Sequence, residues 1–221
     1  MLDTEQAVLA RRSVRGFLAQ PVAPSLLQRI FEAAQHAPSN CNTQPWELHV
    51  ASGSVRDALR NQLVLAAQDP TQARPDIPFD GKYAGAFRER QIDAAVRLWA
   101  ASGVARDDRA ARARSFMRNY ELFDAPHVAF LFMPDWCSLR EAADCGMYLQ
   151  TLMLLLTAHG LASCPQTALS MHPDLIRAAF GVDASMKLLC GLSFGYEDTA
   201  VSANACRTDR VALGVHVHLH G

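Results

Sequence analysis

From Ser138 to His159 the chain reads as one long helix that is apolar on nearly every side, with Leu149, Leu152, Met153, Leu154, Leu155 and Leu156 leaving little room for polar relief. A helix without a water-facing stripe belongs in the core of a domain or at a subunit interface. Gly160 ends it as a C-cap. Its most apolar stretch, Cys145 to Ala158, is too short to cross a bilayer and carries Gln150. The remaining elements must therefore wrap this helix, or share it with a second copy of the chain.

The means to do so are present. The chain has 221 residues, 50% of them hydrophobic, enough for one domain with a sizeable core or one domain with an excursion. The net charge of −1 argues against nucleic acid or an anionic membrane as a main partner. Asp3, Glu5, Arg11 and Arg12 interrupt any apolar run at the start, so no secretory leader is expected. The six cysteines (Cys41, Cys137, Cys145, Cys164, Cys190, Cys206) form no C-x-x-C pair, and several sit in apolar runs. They read as reduced packing thiols of a cytoplasmic protein, with spacings unsuited to zinc.

Around the long helix the pattern alternates irregularly between helix and strand. Residues 3–10 are helical up to the arginines. Pro24 and Ser25 open a second helix in which Leu26, Leu27, Ile30, Phe31 and Ala34 recur at helical spacing, and Pro38 stops it. Residues 38–45 form a polar loop, Trp46 to Ala51 alternates like a strand, and Arg56 to Ala67 is a helix. Residues 69–82 are a Pro-, Asp- and Gly-rich loop. Residues 83–119 fit two helices broken near Gly103, more polar than their neighbours and so an excursion from the core. Pro126 to Met133 is a buried strand closed by Pro134. Leu161 to Pro165 is a short strand or extended turn, Pro173 to Phe180 a helix ended by Gly181, and Lys187 to Tyr196 another apolar strand. Val215 to His220 alternates at the tail. This order is α+β, not a repeating βαβ wheel.

Four polar constellations interrupt that frame. The first is Ala10 to Phe17, where Arg11, Arg12 and Arg15 crowd around Ser13. Guanidiniums that close repel unless an anion or water lies among them, and their donor forks match phosphate oxygens. A solvated helix end is the ordinary alternative. The second is the loop of Ser39, Asn40, Asn42, Thr43 and Gln44, which offers donors and acceptors to the edge of a planar heterocycle, or simply a helix stop and a turn. The third is Cys164-Pro165-Gln166-Thr167, and the fourth the basic pair Arg207 and Arg210. Neither G-x-G-x-x-G nor G-x-x-x-x-G-K-[ST] occurs, which disfavours a Rossmann domain or a P-loop. Gly191-Leu192-Ser193-Phe194-Gly195 has the letters of a nucleophile elbow, but no helix pattern follows it.

In this order and spacing, the stretches Arg11 to Phe17, Ala37 to Asn40 with Thr43 to Trp46, Gly160 to Gln166, and Leu192 to Tyr196 resemble the nitroreductase family of FMN-dependent oxidoreductases. The likeness covers nearly the whole chain and is weakest in residues 65–120 and the last dozen. It implies a single α+β domain over residues 1–221 with a central, mostly antiparallel sheet flanked by helices, a helical excursion or lid at about 69–119, and an intertwined homodimer.

The resemblance also implies roles. Arg11, with Arg12 beside it, holds the FMN phosphate, and Ser13 supports the phosphate and ribityl chain. Arg15 lies at the pyrimidine edge, where a guanidinium stabilises the anionic reduced ring. Pro38, Ser39 and Asn40, with Asn42 and Gln44, reach the flavin from the partner subunit. Pro165, Gln166 and Thr167 present donors near N5, and Arg207 or Arg210 returns to the phosphate. NAD(P)H is the implied electron donor and a small electron-poor acceptor, a nitroaromatic or quinone, the oxidant, in a ping-pong sequence at one open site. No catalytic side chain and no metal is called for. A reductive dehalogenase or another reductase of the same fold, or a non-catalytic FMN-binding protein, remains an open alternative.

The histidines at element edges, His36, His49, His127, His159 and His172, have no partner at metal spacing and read as structural. His216, His218 and His220 would share a face on a strand, yet an incidental tail is the simpler reading. In the excursion Tyr83, Phe87, Trp99, Phe116 and Arg118 are candidate pocket residues.

Overall fold

The structure, a computed structural model, describes residues 2–78 and 81–221. Its helices are α1 (Thr4–Ala10), α2 (Pro24–Ala34), α3 (Gly53–Ala66), α4 (Gly85–Ala101), α5 (Arg109–Met117), α6 (Leu139–Ala158) and α7 (Pro173–Phe180). Its strands are β1 (Glu47–Ser52), β2 (His127–Pro134), β3 (Ala162–Gln166) and β4 (Met186–Gly195). The helix starts follow local chemistry. Asp3 accepts the Gln6 N–H at 2.8 Å while the Gln6 side chain accepts the Asp3 N–H at 3.1 Å. Ser138 and Glu141 cap α6 in the same reciprocal way. Proline occupies the first turn of α2 and of α7.

The strands form one antiparallel sheet in the order β1-β2-β4-β3. β2 is buried at every residue before Pro134. The two-residue period of a strand sorts its side chains between two cores. Ala129, Leu131 and Met133 join Ile30 and Ala34 of α2 and Tyr148, Leu152 and Leu156 of α6 on one face. Val128, Phe130 and Phe132 join Leu59 and Leu63 of α3 and Ile176 of α7 on the other. The long apolar helix is thus a covering layer of the central sheet, and each fully buried aliphatic or aromatic side chain contributes about 1.5–3 kcal/mol.

One irregularity breaks the β2–β4 ladder. The register slips between Leu131, opposite Cys190, and Phe132, opposite Leu188. The Leu188 N–H beside this bulge is taken by Asp76 Oδ2 at 2.8 Å, and the same carboxylate pairs with Arg177 of α7 at 2.7 and 3.0 Å. The loop before α4 is thereby pinned to the second core.

Beyond β3 the chain from Ser13 to Phe17 runs along the sheet edge. Ser13 lies beside Ser163 in a parallel bridge, and the Val14 N–H donates to the Ser163 carbonyl at 3.0 Å. Pro165 is tolerated in β3 because β3 ends the ladder. The excursion forms the two expected helices, with Gly103 at φ 67° in the break between them, and neither helix has a buried residue. The tail departs from its alternation. Leu213–Val215 is a 3-10 turn and residues 216–221 pair with no strand, because no ladder edge lies beside them. Among the described residues no helix is long and apolar enough to cross a membrane.

Candidate functional site

α1 ends where Arg11 turns extended at φ −59°, ψ 127°. From there the backbone is held on three sides. Val14 bonds to β3 as above, the Phe17 N–H donates to the Phe123 carbonyl at 3.2 Å, and the Leu18 N–H donates to the Tyr196 carbonyl at 2.9 Å. Buried Asn204 accepts the Arg15 N–H at 2.7 Å and donates to the Gly16 carbonyl at 2.9 Å and the Asp198 carbonyl at 2.8 Å. Gly16 leaves no alternative, since a Cβ there would stand 2.6 Å from Val201. Val14 and Phe17 go into the core, while Arg11, Arg12, Ser13 and Arg15 line a cavity.

That cavity, about 580 Å³, also receives Arg207 and Arg210 from the C-terminal segment. All five arginines and the serine expected to meet an anion therefore converge. Their charges are treated differently. Arg12 forms an ion pair with Glu197, and its Nε is buried without a hydrogen-bond partner. Arg11, Arg15, Arg207 and Arg210 have no carboxylate partner among the described residues. Backbone carbonyls aim three of them: Arg15 donates to Ser13 at 3.3 Å, Arg207 to Asn204 at 2.7 Å and Cys206 at 2.9 Å, and Arg210 to Thr208 at 3.2 Å. Carbonyls orient a guanidinium without neutralising it. Like charges 4 Å apart repel by about 4 kcal/mol at an effective dielectric near 20, so the arrangement favours a polyanionic ligand. Guanidiniums and a hydroxyl are the donor set of a phosphate site.

The 38–45 loop is built differently. Trp46 stacks on Tyr148 of α6 at 4.8 Å, and Asp144 of α6, itself buried, accepts the Asn40 N–H at 3.1 Å. Ser39 Oγ accepts the Gln44 N–H at 2.9 Å, and the Gln44 side chain donates to the Asn42 carbonyl at 2.9 Å. Cys41, Asn42 and Gln44 adopt φ of 49°, 58° and 47°. Left-handed non-glycine residues in such number mark a backbone held against its preference, as functional loops often are. Pro38, Asn40, Asn42 and Gln44 are exposed, and within one copy of the chain the loop does not line the arginine cavity.

At the end of β3, Pro165 is half-buried and Thr167 exposed, while the Gln166 side chain turns inward. It donates to the Asn119 carbonyl at 2.8 Å and accepts from Ser193 Oγ at 2.5 Å. Only the backbone of Gln166 is left to face a ligand. The same contact accounts for Ser193, which is fully buried inside β4 and no nucleophile.

A second cavity, about 460 Å³, opens on the other side of Arg15. Arg114, Ser115, Arg118 and Phe123 line it with Leu98, Ser102 and Val201. Of the expected pocket residues, only Arg118 contributes. Phe87, under Arg90 at 4.8 Å, and Phe116, edge-on to Tyr120 at 5.9 Å, are exposed and do not line the cavity, and Trp99 carries Arg112 over its face at 5.1 Å. The cysteines are free, and burial pushes the thiols of Cys145 and Cys190 up to about 12 and that of Cys164 up to about 11. Among the described residues no three His, Cys, Asp or Glu side chains gather where a metal could be held.

Three supporting residues carry no sequence signal: Asn204, Glu197 and Asp144. Each is a single polar residue in an ordinary context, and only the fold brings it to the segment it holds.

Comparison with known proteins places these features. The family model described as the Nitroreductase family matches residues 8–196. Nitroreductase NfnB of Mycolicibacterium smegmatis is 43% identical over 210 residues, 95% of this chain and 89% of that protein. A 4-nitrobenzoate reductase of Pseudomonas putida is 35% identical over 99% of this chain and 96% of its own length. Among solved structures, the FMN-dependent nitroreductase NfnB from Mycobacterium smegmatis in complex with NADPH superposes with a TM-score of 0.94 at 42% identity, over 98% of this chain and 97% of that one.

Proposed function

This chain belongs to the nitroreductase family, and on that premise we propose that it is an FMN-dependent oxidoreductase that takes electrons from NAD(P)H and delivers them to an electron-poor acceptor such as a nitroaromatic or a quinone. The observation that carries the reading is the meeting, in one cavity, of Arg11, Ser13, Arg15, Arg207 and Arg210, four of whose positive charges no carboxylate among the described residues offsets. The donor chemistry fits a flavin mononucleotide: guanidinium forks and a hydroxyl for the phosphate, and the buried, unpartnered Nε of Arg12 at its edge. The dependence of the NfnB relatives on FMN and NADPH supports the same assignment.

The chain's own residues then act as follows. Arg11, Ser13, Arg207 and Arg210 bind the phosphate, and Arg12, tied to Glu197, stiffens the rim. Arg15, fixed at its N–H by Asn204, holds positive charge at the pyrimidine edge. The strained 39–44 loop, anchored by Asp144, reaches the cofactor of a second copy in a homodimer, which accounts for its distance from the cavity of its own chain. The backbone N–H groups of the Pro165-Gln166-Thr167 segment, which only Gln166 and Thr167 carry, would serve the ring nitrogen N5 of bound FMN. Bound FMN supplies the two-electron chemistry, which explains a site without a nucleophile or an acid–base dyad. Donor and acceptor use one open site in turn, giving ping-pong kinetics. We place the whole chain in one FMN-binding domain, with residues 69–119 as an excursion beside the substrate, and the enzyme in the cytoplasm.

The test is anaerobic. Purified protein is yellow, NADH or NADPH bleaches it, and a nitroaromatic restores the colour. Colourless protein that takes up no FMN overturns the proposal.

A further inference from the structure

We propose that the second cavity, on the α5 side of Arg15, receives the 2′-phosphate end of NADPH, and that Arg114 is the residue that selects NADPH over NADH. The inference rests on the reading above, in that a nicotinamide nucleotide is the electron donor. The position is the first argument. Arg15 lines both cavities, so the second one opens beside the place where the donor has to dock.

Charge is the second. Five arginines (Arg106, Arg109, Arg112, Arg114 and Arg118) stand between positions 106 and 118, against Asp107 and Asp108, in a chain of net charge −1. Most of that charge is spoken for or lies elsewhere. Arg118 is bound to Glu121 at 2.5 Å and to Asp124 at 2.6 Å. Arg112 lies over Trp99, and the Asp108 carboxylate, the one acidic group that lines the cavity, accepts the Ala111 N–H at 2.8 Å as the cap of α5. Arg106 and Arg109 do not line the cavity. Arg114 does, and it has no carboxylate partner among the described residues.

Lining chemistry is the third. Ser115 adds a hydroxyl that makes no hydrogen bond to another described residue, while the Ser102 hydroxyl is used by the Leu98 carbonyl at 2.7 Å. Leu98, Val104 and Phe123 offer the apolar surface that a purine needs. A phosphomonoester carries about −1.5 to −2 charges and three acceptor oxygens, which suits a lining where Arg15 and Arg114 lack a carboxylate partner among the described residues, Arg118 is paired, and Asp108 is the one carboxylate. NADH brings a neutral hydroxyl there and leaves Arg114 without an anion, Arg15 being engaged by the flavin.

The test compares 2′,5′-ADP with 5′-AMP by calorimetry on the FMN-loaded protein, alongside steady-state kinetics with both nucleotides. The wild type binds 2′,5′-ADP at least tenfold more tightly. Arg114→Gln removes that advantage and lowers the NADPH-to-NADH ratio of kcat/KM about tenfold, the worth of a charge-assisted hydrogen bond, and Arg114→Lys restores part of both. Equal binding of the two nucleotides by the wild type, or a preference that survives Arg114→Gln, overturns the inference. So does an Arg114→Gln effect confined to the KM of a carboxylated acceptor such as 4-nitrobenzoate. Flavin that neither nucleotide bleaches counts instead against the proposed function, while the 2′,5′-ADP comparison needs no turnover and still decides the cavity.

Discussion

Asn204 grips the backbone on both sides of the Arg15–Gly16 peptide: its Oδ1 accepts the Arg15 N–H at 2.7 Å and its Nδ2 donates to the Gly16 carbonyl at 2.9 Å. A side-chain amide here does the work of a neighbouring strand. The geometry of this half-buried arginine segment is thus set by a buried residue 189 positions away.

Asn204→Ala leaves the Arg15 N–H unsatisfied, which costs about 1–3 kcal/mol, and removes one of two bonds at each of the Gly16 and Asp198 carbonyls. We expect a clear fall in the urea midpoint and weaker FMN binding in the same variant. Asn204→Asp keeps the bond to Arg15 but sets a carboxylate against two carbonyls, so it fails to rescue either property. A variant of unchanged stability and affinity would show the clamp to be dispensable.

The phosphate assignment separates by sign. Arg11→Gln weakens FMN about 10- to 100-fold, the range for lost charge-assisted hydrogen bonds, and leaves riboflavin binding nearly unchanged. Glu197→Gln removes a negative charge from beside Arg12 and tightens FMN a few-fold. Fluorescence quenching titrations at low and high salt report both, with the difference shrinking as salt rises.

Asp76 ties the loop before α4 both to Leu188, beside the bulge, and to Arg177. Asp76→Ala strips a mostly buried ion pair and a backbone bond together and costs about 3 kcal/mol. Asp174→Ala removes the exposed partner of the same arginine and costs under about 1 kcal/mol. Chemical denaturation of the two variants distinguishes them.

His127 sets a pH dependence of stability. Its Nε2 accepts the Val22 N–H at 2.9 Å, so the proton sits on Nδ1, toward Ser52 Oγ at 2.5 Å. Burial, then the charge of Arg56, holds its pKa below the ordinary 6.5. The folded state thus binds the proton less readily than the unfolded one. Stability is full above pH 6.5 and declines as pH falls through that value toward the lower folded pKa. Burial lowers His172 as well and adds to the slope. Denaturation midpoints between pH 8 and pH 5 fall, and His127→Phe flattens part of the decline. A midpoint that rises on acidification contradicts this account.

Gly16→Ala drives a methyl to within 2.6 Å of Val201. Overpacking of this kind costs about 1–3 kcal/mol. Gly16→Ala combined with Val201→Ala recovers most of the loss in a double-mutant cycle, which a purely conformational role for the glycine would not allow.

Much of the frame was legible because its signals are local. Helical spacing in Leu26 to Ala34, the apolar run of β2 and the punctuation by Pro38, Gly103, Gly160 and Gly181 all found their elements. The convergence of Arg11, Ser13 and Arg15 with Arg207 and Arg210 was legible through the family resemblance, because Arg207 and Arg210, with Asp209 between them, read by themselves as ordinary surface charge. What stayed hidden depends on contacts distant along the chain. Nothing near Asn204 announces that its amide will meet Arg15, and nothing near Asp76 announces a bulge at Leu188. Leu122, Phe123 and Asp124, left-handed at φ 58°, 53° and 63°, carry none of the residues that usually mark such a turn. The tail from Val215 to His220, read as incidental despite its alternation, pairs with no strand, since alternation is only a tendency until a ladder lies alongside.

The segment from Ser13 to Val14 also lies against the outer side of β3. If that segment detaches, the strand it shields becomes an open template for pairing with other copies of the protein. Ligand loss and solubility are then coupled: an apoprotein that loosens at its arginines is expected to aggregate through β3, and a phosphate analogue that merely seats the arginines should suppress it.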